Sequence, residues 1–174
     1  MLAAWTLAAV AVLAAGAGWM RRAPEPPFRR MDLTFGALVP AQPGWIAVSS
    51  DGALLAAAGT IGNDPAIYIR HLGGDAEFRK VPGTENGTYP AFSPDNQWIV
   101  FRRTTDRSLV KVNVNGGGAV TLVSGGGLDP YAPHWGEDGR IVFSGPPGNG
   151  IVSSSGGDGR PLPKVVGRMP VLLP

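Results

Sequence analysis

Tyr89-Pro90-Ala91-Phe92-Ser93-Pro94-Asp95-Asn96-Gln97-Trp98-Ile99-Val100-Phe101 reads as a short strand, a tight turn and a second strand. Pro90 and Pro94 punctuate it, and Asp95-Asn96 are turn formers that tolerate a positive φ. Trp98, Val100 and Phe101 are residue types enriched in strands. The chain repeats this unit. Ala47-Val48-Ser49-Ser50-Asp51-Gly52-Ala53-Leu54-Leu55-Ala56 precedes it, and Pro133-His134-Trp135-Gly136-Glu137-Asp138-Gly139-Arg140-Ile141-Val142-Phe143 follows it. The turn aspartates Asp51, Asp95 and Asp138 are 44 and 43 residues apart.

A period of about 40–45 residues with several short strands per unit is the signature of a β-propeller blade. Each unit holds four expected strands. They lie at 45–48, 54–60, 66–71 and 78–81 in the first, 89–92, 98–103, 109–114 and 120–123 in the second, and 132–135, 140–144, 150–154 and 160–162 in the third. Glycine-rich joints fall between the third and fourth strands each time, at Gly73-Gly74, Asn115-Gly116-Gly117-Gly118 and Ser155-Gly156-Gly157-Asp158. Glycine there supplies the positive φ that hairpin turns need. The joint Gly156-Gly157-Asp158-Gly159 lacks the Gly-Lys-Ser/Thr ending and following helix of a phosphate loop.

The expected fold class is therefore all-β, a partial propeller of about three four-stranded blades over residues 30–174. A stub of a fourth is expected at 169–173, where Pro170-Val171-Leu172-Leu173-Pro174 resembles the start of the earlier units. The sequence is accordingly expected to be a fragment of a longer chain, cut within that blade. Residues 28–35 alternate loosely and suggest one more strand, placed to close a ring with the last blade.

Ahead of the repeats, residues 1–20 are nearly all Ala, Leu, Val, Gly and Trp, with no charge. About 20 helical residues span roughly 30 Å, the hydrocarbon thickness of a bilayer. Trp5 and Trp19 lie near the ends, where tryptophan favours the membrane interface. A transmembrane helix anchoring the chain in a membrane is expected. The rivals are a signal peptide, with Ala15-Gly16-Ala17 as its cleavage site but no positive region before it, and a buried soluble helix. Residues 21–29 form a basic, proline-rich linker. Its arginines conflict with the positive-inside rule if the β region is exported.

The net charge is +2, and the positive residues form no stripe, so nucleic acid is not an expected partner. With no cysteine, disulfides and thiolate metal sites are excluded.

Ala91 to Phe101 resembles the F-S-P-D-G-x-W-I-x-F repeat of TolB-type β-propellers, with Asn96 where glycine is usual. Leu109-Val110-Lys111-Val112-Asn113-Val114-Asn115-Gly116-Gly117 resembles the strand and turn that follow it. Trp135 to Phe143 resembles a variant blade. The first repeat departs from the pattern, with Ser50 where proline is usual and alanine-rich strands. Repeats of this kind behind one span and a proline-rich spacer are similar to the extracytoplasmic sensor region of bacterial membrane-anchored serine/threonine protein kinases. The resemblance implies a catalytic kinase domain upstream of the span in the parent protein; no H-R-D or D-F-G is present in this chain. It implies a non-catalytic, periplasmic module for ligand sensing or protein–protein interaction, its ligand unknown and no cofactor or metal required. A periplasmic TolB-like scaffold and the propeller part of a prolyl-oligopeptidase-type peptidase are the alternatives.

Asp51, Gly52, Asp95, Asn96, Asp138 and Gly139 are assigned to the repeated turns, where a short side-chain oxygen accepts nearby N–H groups. Phe92, Trp98, Phe101, Trp135 and Phe143 are assigned to packing between blades. His71 and His134, the two histidines, read as packing or surface residues rather than as a metal pair. No G-x-S-x-G elbow supports hydrolase chemistry. Arg102, Arg103, Arg107 and Lys111 make the second repeat basic and are expected on a solvated sheet edge.

Overall fold

The computed structural model describes residues 33–42, 45–73, 77–125, 129–146 and 148–162. The chain divides into Met1–Leu33 and Thr34–Pro174, and the second unit carries the fold. Every regular element among the described residues is a strand. None of them forms a helix long and apolar enough to cross a membrane. The span expected at 1–20, the linker at 21–29 and the fourth-blade strand at 169–173 all lie outside the described residues.

Three antiparallel sheets follow one another along the chain. The first holds β1 (Val39–Pro40), β2 (Ile46–Val48), β3 (Leu54–Ile61), β4 (Asp64–His71) and β5 (Arg79–Lys80). The second holds β6 (Gly87–Phe92), β7 (Trp98–Arg103), β8 (Ser108–Asn113) and β9 (Val120–Val123). The third holds β10 (Tyr131–Trp135), β11 (Arg140–Ser144), β12 (Gly150–Ser153) and β13 (Arg160–Pro161). The second and third sheets run β6-β7-β8-β9 and β10-β11-β12-β13, the up-and-down order of a blade. The leading strands are neighbours across the sheets: β6 touches β2 on one side and β10 on the other.

The first sheet departs from the expected layout. Residues 33–35 are not strand; the extra strand is Val39–Pro40, and it pairs with β3 rather than with a distant blade. β1 and β2 share the same edge of β3, at Thr60 and Gly59 for the one and at Ala57 to Leu55 for the other. They act as one leading strand broken opposite Ala58, whose carbonyl and N–H still bond to Ala41 and Trp45. The leading strands β6 and β10 are broken near the same level, with register shifts between Thr88 and Ala91 and between Tyr131 and His134. A proline follows the first shifted residue in each, Pro90 and Pro133. With no N–H to give, proline belongs in an interrupted ladder.

Alternation along β7 explains how the middle sheet is buried on both faces. Ile99 and Phe101 pack with Ala56, Ala58, Ile67 and Ile69 of the first sheet. Val100, from the opposite face, packs with Leu109, Ile141, Phe143 and Val152 towards the third. The alanine-rich β3 makes sense in this setting. Ala56 and Ala58 leave room for the rings of Phe92 and Phe101, so small residues on one sheet match large ones on the next. The far face of the first sheet is closed by Phe35, Leu38 and Phe78 over Ala57, Ala66 and Tyr68. Phe35 and Phe78 stack with centroids 5.7 Å apart.

Candidate functional site

The turns between the first two strands of each sheet build one end of the site. Asp51, Asp95 and Asp138 each accept the N–H two residues on, from Ala53, Gln97 and Arg140, at 3.0, 3.1 and 3.0 Å. Gly52, Asn96 and Gly139 follow with φ of 69°, 58° and 75°, the left-handed backbone that glycine and asparagine accept most easily. In the first two turns a serine completes the loop. Ser49 and Ser93 donate their hydroxyls to Asp51 and Asp95 and accept N–H groups from Leu54 and Trp98 at 2.8 and 2.9 Å. The third turn is one residue shorter and has Gly136 at that place, and there the Arg140 guanidinium binds Asp138 instead. These bonds hold all three carboxyls below the usual carboxylate range: the Ser49 hydroxyl for Asp51, the Ser93 hydroxyl for Asp95 and the Arg140 guanidinium for Asp138.

A groove of about 810 Å³ opens beside these turns. Residues at matching repeat positions line it: Ala47, Ala91 and His134 from one level of the leading strands, and Val48, Phe92 and Trp135 from the next. Ser50, Pro94 and Glu137 from the turns complete its rim, with Asp138 and Arg140. Its wall is apolar, with His134 and the charged turn groups on the third sheet. Val48 is 53% exposed, so an apolar side chain faces solvent here.

Towards the other ends of the leading strands, three aromatic rings form a row. Trp45 and Tyr89, which are 44 residues apart, meet with ring centroids 4.8 Å apart; Tyr89 and Tyr131 meet edge to face at 5.7 Å. Tyr89 has φ of 53° and Ala132 has φ of 41°, both left-handed at the strand breaks. For an aromatic residue this is strained backbone, and strain of this kind gathers at functional sites. Tyr131 is fixed from behind. Its hydroxyl donates to Asp129 at 2.7 Å, and the Arg102 guanidinium lies 4.9 Å over its ring while pairing with Asp129 at 2.8 Å. Burial alone would raise the Asp129 carboxyl, but the Arg102 and Tyr131 hydrogen bonds outweigh it and the carboxyl sits below its ordinary value. The same bond raises the Tyr131 phenol.

The packing residues separate into two groups. Phe101 and Phe143 are fully buried and Phe92 nearly so. Trp98 and Trp135 are only half-buried. Trp98 starts β7, where its ring lies under the Lys111 ammonium at 4.9 Å, and Trp135 ends β10 on the groove wall. Both stand at strand ends, where neighbouring sheets do not cover a whole indole. The basic residues of the second repeat are mostly engaged rather than solvated. Arg102 pairs with Asp129, Arg103 with Asp106, and Lys111 donates to the Ser154 carbonyl of the next sheet at 2.6 Å.

His71 ends β4 in the first sheet and His134 sits on β10 in the third. Among the described residues, no group of three His, Cys, Asp or Glu side chains is placed to hold a metal. Sequence reading singled out neither the aromatic row nor the Arg102–Asp129 pair. Trp45 and Tyr89 carried a signal, since both are aromatic at the same repeat position. Asp129 carried none, because its partner lies 27 residues away on another sheet.

No protein-family model matches the chain, and no curated protein matches it. Among solved structures, it is similar to a protein assigned as TolB from Agrobacterium tumefaciens, with 20% identity over 67% of this chain and 47% of that one, at a TM-score of 0.58. It is also similar to an acylaminoacyl peptidase solved in complex with Z-Gly-Gly-Phe-chloromethyl ketone, with 14% identity over 73% of this chain and 26% of that one, at a TM-score of 0.51. The chain thus spans about half the length of the first and about a quarter of the second. At these identities the likeness concerns the fold, which is that of a β-propeller.

Proposed function

We propose that the chain is a non-catalytic recognition module, exported and membrane-anchored, that binds a protein or peptide ligand in the groove beside its repeated turns. We further propose that it serves as the sensor region of a receptor-type serine/threonine kinase. The observation that carries the binding role is the groove itself. Three sheets place residues at equivalent repeat positions along one wall, yet the side chains differ: alanine, alanine and histidine at one level, valine, phenylalanine and tryptophan at the next. A constant frame with varied side chains is how a repeat scaffold makes a surface for one ligand. Export is supported by the charge-free apolar stretch at 2–20. The kinase context is supported by the order of span, proline-rich spacer and repeats.

A free periplasmic scaffold of the TolB kind is the second reading, and the fold shared with a TolB structure is consistent with it. In both readings the groove binds and does not catalyse.

The test is selection of peptides from a displayed random library on the full chain, followed by affinity measurement on Trp135→Ala and His134→Ala. Selected peptides should bind the parent and lose affinity about tenfold or more on Trp135→Ala, the loss typical of a central aromatic contact. Peptides that bind both variants like the parent would move the site out of the groove. Turnover of ester or peptide substrates would overturn the non-catalytic reading.

A further inference from the structure

We propose that the aromatic row Trp45–Tyr89–Tyr131 is a second binding site, which takes a proline-rich extended peptide segment. It lies towards the opposite ends of the leading strands from the groove, so it stands or falls apart from the function proposed above.

Four observations lead there. First, the rings are contiguous across three sheets, each half-buried, so each offers a ring surface to solvent. Second, Tyr89 is held in left-handed backbone at a strand break, a conformation that re-aims a side chain out of the regular ladder. Third, the row offers donors. The Tyr131 hydroxyl is spent on Asp129, but among the described residues the Trp45 indole N–H and the Tyr89 hydroxyl bond to no protein group. Fourth, among the described residues the charges behind Tyr131 are paired, Arg102 with Asp129.

These properties select the ligand. It must stack apolar rings, accept hydrogen bonds and carry no charge at the contact. A polyproline II segment does all three, since proline has a ring and a carbonyl but no N–H. The three ring centres span at most about 10.5 Å, and one polyproline turn of three residues rises about 9 Å. Aromatic-lined surfaces that grip such helices do so at low entropic cost, because the helix is already extended in solution. An oligosaccharide also stacks on aromatic rings, but it brings many hydroxyls that need acceptors as well as donors, and Asp129, the carboxylate behind the row, is already engaged.

The experiment is calorimetric titration of the full chain with a ten-residue polyproline peptide, a glycine–serine peptide of equal length, and cellohexaose. The polyproline peptide should bind and the other two should not. Tyr89→Ala should weaken binding tenfold or more. Tyr89→Phe keeps the ring and the fold but loses the donor, and should weaken binding about fivefold, the worth of one hydrogen bond. Val120→Ala, on the outer strand β9, should leave it unchanged. Absence of polyproline binding, binding indifferent to both Tyr89 variants, or preference for cellohexaose would each overturn the proposal.

Discussion

Ser50 and Asn96 are hydrogen-bonded to each other across two sheets. The Ser50 N–H and hydroxyl both donate to Asn96 Oδ1, at 2.9 and 3.0 Å, and the hydroxyl also reaches the Pro94 carbonyl at 3.0 Å. Both residues depart from their counterparts in the neighbouring turn. Ser50 occupies the place of Pro94, and Asn96 the place of Gly52 and Gly139. A proline at 50 would have no N–H to give, and a glycine at 96 would have no side-chain oxygen to receive it. The two departures therefore compensate as a pair and tie the first blade to the second.

The expected outcome for Asn96→Gly is a loss of about 1 kcal/mol, as glycine's ease at positive φ partly offsets the lost exposed hydrogen bonds. Ser50→Pro should cost a similar amount, and the double variant less than the sum of the two. Urea melts of the four proteins measure this. Strict additivity would show that the bond contributes nothing.

Phe101 and Phe143 should dominate the packing energy, ahead of the tryptophans. Truncation of either to alanine removes a fully buried ring and should cost about 3–5 kcal/mol. Trp98→Ala, at a half-buried strand end, should cost roughly 1–2 kcal/mol. Denaturant midpoints rank the three variants; a larger loss for Trp98 would contradict the observed burial.

Gly150 should not tolerate a side chain. It faces Phe143 across the ladder, and a Cβ there would fall inside van der Waals contact with the ring. Gly150→Ala should cost about 1–3 kcal/mol through overpacking, although its φ suits any residue. Gly148→Ala, in open space, serves as the control. Thermal melts of the two variants should separate clearly.

Acid should destabilise the fold. Asp129 is held below its ordinary range by Arg102 and Tyr131 against the opposing effect of burial, and Asp51, Asp95 and Asp138 are held there by their turn bonds. A depressed folded-state pKa contributes stability that is present above the unfolded value, near about 4, and lost as pH falls through the folded value. Melting temperature should thus decline from about pH 4 downwards. Asp129→Asn should lower stability at neutral pH by about 1.5–3 kcal/mol and flatten that decline. A melting temperature independent of pH below 4 would contradict the linkage.

The sequence by itself determined the strands and the turns. Of the twelve strands expected in the three repeats, each appears within one or two residues of its place, because alternation, proline and turn chemistry act over a few neighbouring residues. Glycine at the second and third joints follows the expectation in part: Gly116, Gly117, Gly156 and Gly157 adopt positive φ, whereas Gly118 and Gly73 of the first joint do not. The repeat also marked which turn residues share a role, since equal spacing puts equal chemistry at equal places.

Only the tertiary structure decided what meets across blades. Ser50 finds Asn96 at 46 residues, Lys111 finds Ser154 at 43, and Arg102 finds Asp129 at 27. No local pattern fixes such pairs, because they depend on how one sheet turns against the next. The same holds for the leading strands. Their breaks aim Trp45, Tyr89 and Tyr131 into one row, and the ends of the sheets leave Trp98 and Trp135 partly open. Periodicity tells which face of a strand a side chain takes, but whether that face is covered depends on where the neighbouring sheet stops.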